Sequence, residues 1–138
     1  MLSLSRKTDY ALLILTALAE RPNVYTSLRD LTKEKNMPYR FVSRVVQPLL
    51  HAGILESREG AGGGYRLAKD PSVVTVQDVV AAEEGGVALA ACLDPSKHFA
   101  CRQKEHCTVR RGMPTVQRLV LQTLSKHTLA DLISENPR

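Results

Sequence analysis

A mainly α-helical fold carrying one small β-hairpin is what this sequence predicts, and three patterns predict it. Apolar residues recur every three to four positions in several stretches, most of them opened by a capping residue. Two short extended segments flank a glycine-rich turn. Near the C-terminus, a long apolar stripe has little chain left to cover it.

The elements follow in order. Tyr10, Leu13, Ile14, Ala17 and Leu18 repeat at helical spacing, with Ser5 as N-cap and Pro22 as the stop. Ser27-Leu28-Arg29-Asp30 reads as a capping box that opens a short second helix, with Leu28 and Leu31 facing inward. Lys35-Asn36-Met37-Pro38 is a turn, and Pro38 suits the first turn of the third helix because its missing N–H would be unpaired there anyway. Phe41, Val42, Val45, Val46 and Leu49 form that helix's apolar stripe, and Gly53 stands at the C-cap. Pro48 inside it predicts a kink or a tightened last turn.

Residues 54–58 read as a strand, residues 59–64 as a turn and residues 65–67 as the returning strand. Thr75-Val76-Gln77-Asp78 is a second capping box, with Val76, Val79 and Val80 inward and Gly85-Gly86 as the stop. Residues 87–107 read as irregular and hold all three cysteines. Val109, Met113, Val116, Val120 and Leu124 mark a long helix, whose start Pro114 can shift past Val109. Its stripe calls for a partner chain. Thr128-Leu129-Ala130-Asp131 caps a last short helix, with Leu132 and Ile133 inward.

Composition narrows the function classes. Of 138 residues, 43% are hydrophobic and 24% charged, which is globular and not disordered composition. Stretches long and apolar enough to span a bilayer are absent, and the basic segment from Met1 to Arg6 leads into a helix with Asp9 and Glu20, unlike a secretory leader. A cytoplasmic protein without membrane association is expected. Charge is uneven: residues 1–70 carry 11 Lys+Arg against 7 Asp+Glu, and residues 71–138 carry 8 against 7. From Val73 to Asp94 there are four acids, Asp78, Glu83, Glu84 and Asp94, and no Lys or Arg. A basic N-terminal module facing a polyanion, with a near-neutral C-terminal part, is one reading; a solvated helix face is the other. The boundaries drawn are the basic module over 1–70, and the part over 71–138 that holds the cysteine segment and the long apolar stripe.

Helix, helix, turn, helix and hairpin is the order of a winged helix-turn-helix. The glycine-rich turn lacks the Lys-Ser/Thr that a nucleotide-binding loop needs, so that chemistry is set aside. Neither catalytic residues nor a Cys-X-X-Cys pair points to an enzyme or electron carrier.

The cysteines stand 9 and 6 residues apart within one 16-residue segment. An odd count argues against a disulfide framework. Zinc held by three Cys and one His is possible, with His98 and His106 at hand. Thiolates also suit an iron–sulfur cluster, which normally takes four ligands.

Three stretches together resemble the Rrf-two family of bacterial winged-helix transcription regulators. They are Leu4 to Leu12, the wing Gly60-Ala61-Gly62-Gly63-Gly64-Tyr65-Arg66-Leu67, and Cys92, Cys101 and Cys107 before a long helix ending at Thr128-Leu129-Ala130-Asp131-Leu132. The resemblance covers essentially the whole chain. It implies a homodimer built on the C-terminal helix and a repressor or activator that binds double-stranded DNA at a near-palindromic operator. It further implies an iron–sulfur cluster, 4Fe–4S or 2Fe–2S, sensing redox state, nitric oxide or iron supply. The alternative is a cluster-free or zinc-binding regulator of the same fold, controlled by a protein or small-molecule partner.

In such a module the third helix enters the major groove. Tyr39, Arg40, Ser43 and Arg44 share the face opposite Val42, Val45 and Val46, and Arg can read guanine with both its nitrogens. Arg58 stands where similar proteins insert an Arg into the minor groove. Lys7 is a phosphate candidate. Ser43 occupies a place where some relatives carry an acid that discriminates between operators. The family's iron–sulfur regulators supply a His three residues after the third cysteine, where this chain has Arg110. Its nitric-oxide sensors use an Asp in the first helix, and Asp9 stands there. If Asp9 ligates, it reaches the loop of the other protomer; its bland role is to favour the helix dipole.

Overall fold

Helices in this chain begin where a short polar side chain can accept from their first free N–H groups. In the computed structural model, which describes residues 3–135, Ser5 caps α1 (Arg6–Ala19) and Ser27 caps α2 (Leu28–Glu34). Thr75 caps α4 (Val76–Glu84) and Thr128 caps α6 (Leu129–Ser134), each in a reciprocal box with Asp78 or Asp131. Such caps contribute about 1 kcal/mol each. Two helices begin on proline chemistry instead. Pro38 is the N-cap of α3 (Tyr39–His51), one residue earlier than its expected place in the first turn. Pro114 sits in the first turn of α5 (Met113–Lys126), so Val109 lies outside that helix.

The C-terminus of α3 is closed by Gly53 at φ 69°, with Ile54 N–H reaching Leu49 O and Gly53 N–H reaching Leu50 O. This is the paired closure that a left-handed residue permits, and it gathers up the carbonyls of a last turn already weakened by Pro48. The chain turns directly into β1 (Leu55–Arg58), which pairs antiparallel with β2 (Gly64–Leu67) in the register Leu55 to Leu67 through Arg58 to Gly64. Thr26 adds a bridge to Tyr65 on the hairpin's other edge.

One core holds the elements together. Ile14, Leu15 and Leu18 of α1 meet Leu31 of α2, and Val42, Val45, Val46 and Leu49 of α3. Val74, Val79 and Leu129 join them from beyond residue 70. Each fully buried aliphatic side chain contributes about 1.5–3 kcal/mol. The start of α6 is stitched to the start of α4 by Leu129 N–H to Val74 O and Val76 N–H to His127 O. In α6 it is Leu129 that is fully buried, while Leu132 and Ile133, expected inward, are half-buried.

Two further expectations need correction. Leu13 belongs to the apolar repeat of α1 but is 46% exposed, because the core side of that helix is taken by Ala11, Ile14, Leu15 and Leu18. Residues 87–107 are not wholly irregular, since Ala91–Leu93 form a single 3-10 turn. Among the described residues α5 buries none of its side chains, and Val116 and Leu119 are 46% and 54% exposed. No helix among them is long and apolar enough to cross a membrane.

Candidate nucleic-acid interface and cysteine cavity

The outward face of α3 is set by its inward one. Burial of Val42, Val45, Val46 and Leu49 leaves Tyr39, Arg40 and Arg44 exposed and Ser43 half-buried, so the four expected residues lie together on one free face. Arg40 and Arg44 form no ion pair among the described residues. The Ser43 hydroxyl donates to the carbonyl of Arg40 at 2.9 Å, which leaves its oxygen free to accept. Arg29 of α2 lies with its guanidinium carbon 5.8 Å from the centroid of the Tyr39 ring. Sequence reasoning missed that neighbour, which extends the basic face from α3 onto α2.

On the wing, Arg58 is exposed but not loose. Its guanidinium packs on Tyr25, 4.3 Å from the ring centroid, and donates to the carbonyl of Gly62 at 2.9 Å. Arg66 packs on the same ring at 4.5 Å and forms an ion pair with Glu56. Tyr25 donates its hydroxyl to Glu56 at 3.1 Å. The Arg66 guanidinium, and after it the Tyr25 hydroxyl, hold the Glu56 carboxyl below its ordinary range. The wing glycines do more than thin the tip. A Cβ on Gly63 would stand 2.2 Å from Arg58 O, and one on Gly64 2.2 Å from Thr26 O. The hairpin closes on itself and on the α1–α2 connection only without side chains there. Lys7 is exposed in the first turn of α1.

The three cysteines border the same space. Cys92, Cys101 and Cys107 are free, and all line one cavity of about 610 Å³ beside the start of α5. Leu93, Phe99, Val109 and Met113 give it apolar walls. Lys104 and Arg110 supply two cations to the same cavity. Arg110, at the position where the family's iron–sulfur regulators carry a His, is among the residues that line this cavity. His98, His106 and Asp9 do not line the cavity in this chain, and all three are exposed.

This donor set can be weighed against candidate groups. Among the described residues no three His, Cys, Asp or Glu side chains stand close enough to grip a single metal ion. An iron–sulfur cluster takes its thiolates at more than one iron, so it does not need three of these side chains around a single point, and the three cysteines do share the lining of one cavity. A cluster ligated mainly by thiolates is anionic, and the two cations oppose that charge.

Comparison with known proteins gives a consistent result. The sequence profile of the Rrf2 family, described as that of an iron-dependent transcriptional regulator, matches residues 4–135. The transcriptional regulator NsrR of Bacillus subtilis is 29% identical over 133 residues, covering 96% of this chain and 90% of that protein. The solved structure of CymR, the global cysteine regulator of B. subtilis, superposes with a TM-score of 0.79 at 28% identity, covering 99% of this chain and all of that one. IscR of T. potens, at 22% identity and a TM-score of 0.72 over 99% of this chain and 93% of its own, shares the fold.

Proposed function

The chain belongs to the Rrf2 family of transcriptional regulators, and from that premise we propose that it is a dimeric, sequence-specific DNA-binding protein whose affinity is set by an iron–sulfur cluster. Transcription regulation, and not catalysis, is the activity its relatives carry. The finer reading adds four parts, each resting on residues of this chain.

Residues 1–70 bind DNA in this reading and residues 71–138 sense and dimerise. Arg40, Arg44, Tyr39 and Ser43 meet the major groove, Arg58 the minor groove and Lys7 a phosphate. The exposed Val116 and Leu119, continuous with the half-buried Met113, Val120 and Leu124, form the dimer seam in the cytoplasmic protein. Cys92, Cys101 and Cys107 hold the cluster, with Asp9 of the partner subunit as fourth ligand. When bound, the cluster supplies iron that reacts with oxidants or nitric oxide. Lys104 and Arg110 oppose its charge, and Leu93, Phe99, Val109 and Met113 give it apolar neighbours.

One observation carries the cluster reading: the three thiols line a single cavity together with two cations. Anaerobic purification tests it. Iron, acid-labile sulfide and a visible absorption band are expected, and stripping the cluster is expected to change affinity for a duplex enriched by the protein from a random-sequence pool. A colourless protein that binds the same duplex equally well with and without iron overturns it. That result supports the second reading, a cluster-free or zinc-binding regulator controlled by a partner. The likeness to the cysteine regulator CymR and the exposed Cys92 favour this alternative.

A further inference from the structure

Tyr25 lies in the connection between α1 and α2, far in sequence from the wing, yet it touches three of the wing's charged side chains. Strand alternation places Glu56 and Arg58 on one face of β1. The register sets Arg66 opposite Glu56 and Gly64 opposite Arg58. Because residue 64 has no side chain, the backbone of Thr26 comes against it, and Thr26 exchanges hydrogen bonds of 2.9 and 2.8 Å with Tyr65. That pairing fixes the neighbouring Tyr25 over the hairpin. Its ring lies 4.3 Å from the guanidinium carbon of Arg58 and 4.5 Å from that of Arg66. The two arginines differ in what else they meet. Arg66 is neutralised by Glu56, while Arg58 has no carboxylate in ion-pair range among the described residues. The only hydrogen bond of its side chain among them is to the Gly62 carbonyl, within the turn itself.

We propose that Tyr25 is a positioning residue for DNA recognition, which holds Arg58 stacked and uncompensated at the wing tip so that it meets the minor groove already ordered. The inference rests on the reading of the wing as a DNA contact and adds a residue that does not itself touch DNA. A free arginine loses rotamer freedom when it docks, and a stacked one has lost much of it beforehand. Glu56 completes the device by engaging Arg66 and the Tyr25 hydroxyl, leaving Arg58 as the available charge.

The test uses the full chain and the duplex that the wild-type protein enriches from a random-sequence pool. Tyr25→Leu is expected to weaken binding about 2- to 10-fold, and Tyr25→Phe, which keeps the ring, to restore it. In an Arg58→Ala background, Tyr25→Leu is expected to cost nothing further. A merely structural role predicts the same loss in both backgrounds, together with a lower melting temperature. Should Tyr25→Leu fail to fold, Arg58→Lys serves: it keeps the charge, loses the planar stacking surface, and is expected to weaken binding to a similar degree. Wild-type affinity in Tyr25→Leu or in Arg58→Lys, or equal losses in the two backgrounds, overturns the role of Tyr25 while leaving the wing contact standing. Wild-type affinity in Arg58→Ala overturns the wing contact and Tyr25's role with it.

Discussion

Glu83 should make this protein less stable as the pH rises toward neutrality. Its side chain continues the buried face of α4 after Val76, Val79 and Val80 and is only 8% exposed. Neither carboxylate oxygen has a hydrogen-bond partner among the described residues. Burial is the main force on its titration, opposed by the nearby Lys7 and reinforced by Glu84, and the midpoint is pushed up from 4.5 to about 7. The folded chain therefore keeps a proton that the unfolded chain releases near pH 4.5. Stability is greatest below that value and declines between about pH 4.5 and 7, by about 1–3 kcal/mol in all, the lower figure applying where water reaches the carboxylate. Glu83→Gln removes the titration and keeps the shape. It should match the wild type at pH 5 and exceed it at pH 8, at about 3–5 °C of melting temperature per kcal/mol for a chain of this size. Circular-dichroism melts across that range, at one fixed protein concentration, make the measurement. Lys7→Ala should steepen the decline, because it removes the one attraction that favours the ionised form. A Glu83→Gln variant that melts below the wild type at pH 8 would refute the reasoning, since it would mean that the folded protein gives the carboxylate a charged partner.

Three further outcomes are expected. Arg40→Ala or Arg44→Ala should each cost about 1–3 kcal/mol on the selected duplex, and far less on random DNA, where the guanidinium reads a base; in gel shifts, an equal loss on all sequences would identify a phosphate contact instead. Cys92→Ala, Cys101→Ala and Cys107→Ala should each abolish iron and sulfide binding, whereas Asp9→Ala should fold normally and shorten the lifetime of the visible chromophore; an unchanged lifetime removes Asp9 as ligand and turns attention to His106 and His98. Val116→Lys with Leu119→Lys should yield a folded monomer by sedimentation, because α5 buries no side chain within its own chain and a charge in an apolar seam is costly; a wild-type protein that sediments as a monomer refutes the seam.

Local chemistry is what the sequence displays most openly. Ser5, Ser27, Thr75 and Thr128 act as caps where they were expected, and Gly53 and Gly85 take the left-handed conformation at helix ends. Each of those outcomes depends on neighbours within four residues. The exposure of Leu13 is not legible in the sequence, because periodicity marks apolar positions on a helix without saying which of two adjoining stripes the core takes. Glu83 was hidden in a run of acids that reads as solvated, although its spacing from Val76, Val79 and Val80 continues the buried face. Tyr25 gave no signal at all: Glu56, Arg58 and Arg66 lie more than thirty residues away, and only strand register brings them to its ring. The cysteines were legible as one segment. Their shared cavity, with Lys104 and Arg110 facing it, depends on how the loop folds back on α5.

The placement of α1 explains how a ligand in one half of the chain can matter to the other. Its first turns touch both. Thr8 donates to Glu84 at the end of α4 at 2.7 Å, and Ser5 donates to the same carboxylate. Two residues after Thr8, Tyr10 meets Phe41 of α3 edge to face, with ring centroids 5.3 Å apart. Phe41 directly follows Arg40, so a shift at Tyr10 is passed to the residue beside a proposed base contact. Asp9 sits between Thr8 and Tyr10 but points out of the core and is exposed. A bond made or broken at Asp9 would therefore act on a rigid helix that is wedged between α4 and α3. Ala11, Ile14 and Leu15 are fully buried on that helix, and a close-packed interior transmits a displacement where a loose one would absorb it. The same geometry sets the cost of the coupling: α1 can move only if Thr8 and Ser5 let go of Glu84, or carry α4 with them. Whatever acts at Asp9 must thus work against two hydrogen bonds before it reaches the DNA-facing helix.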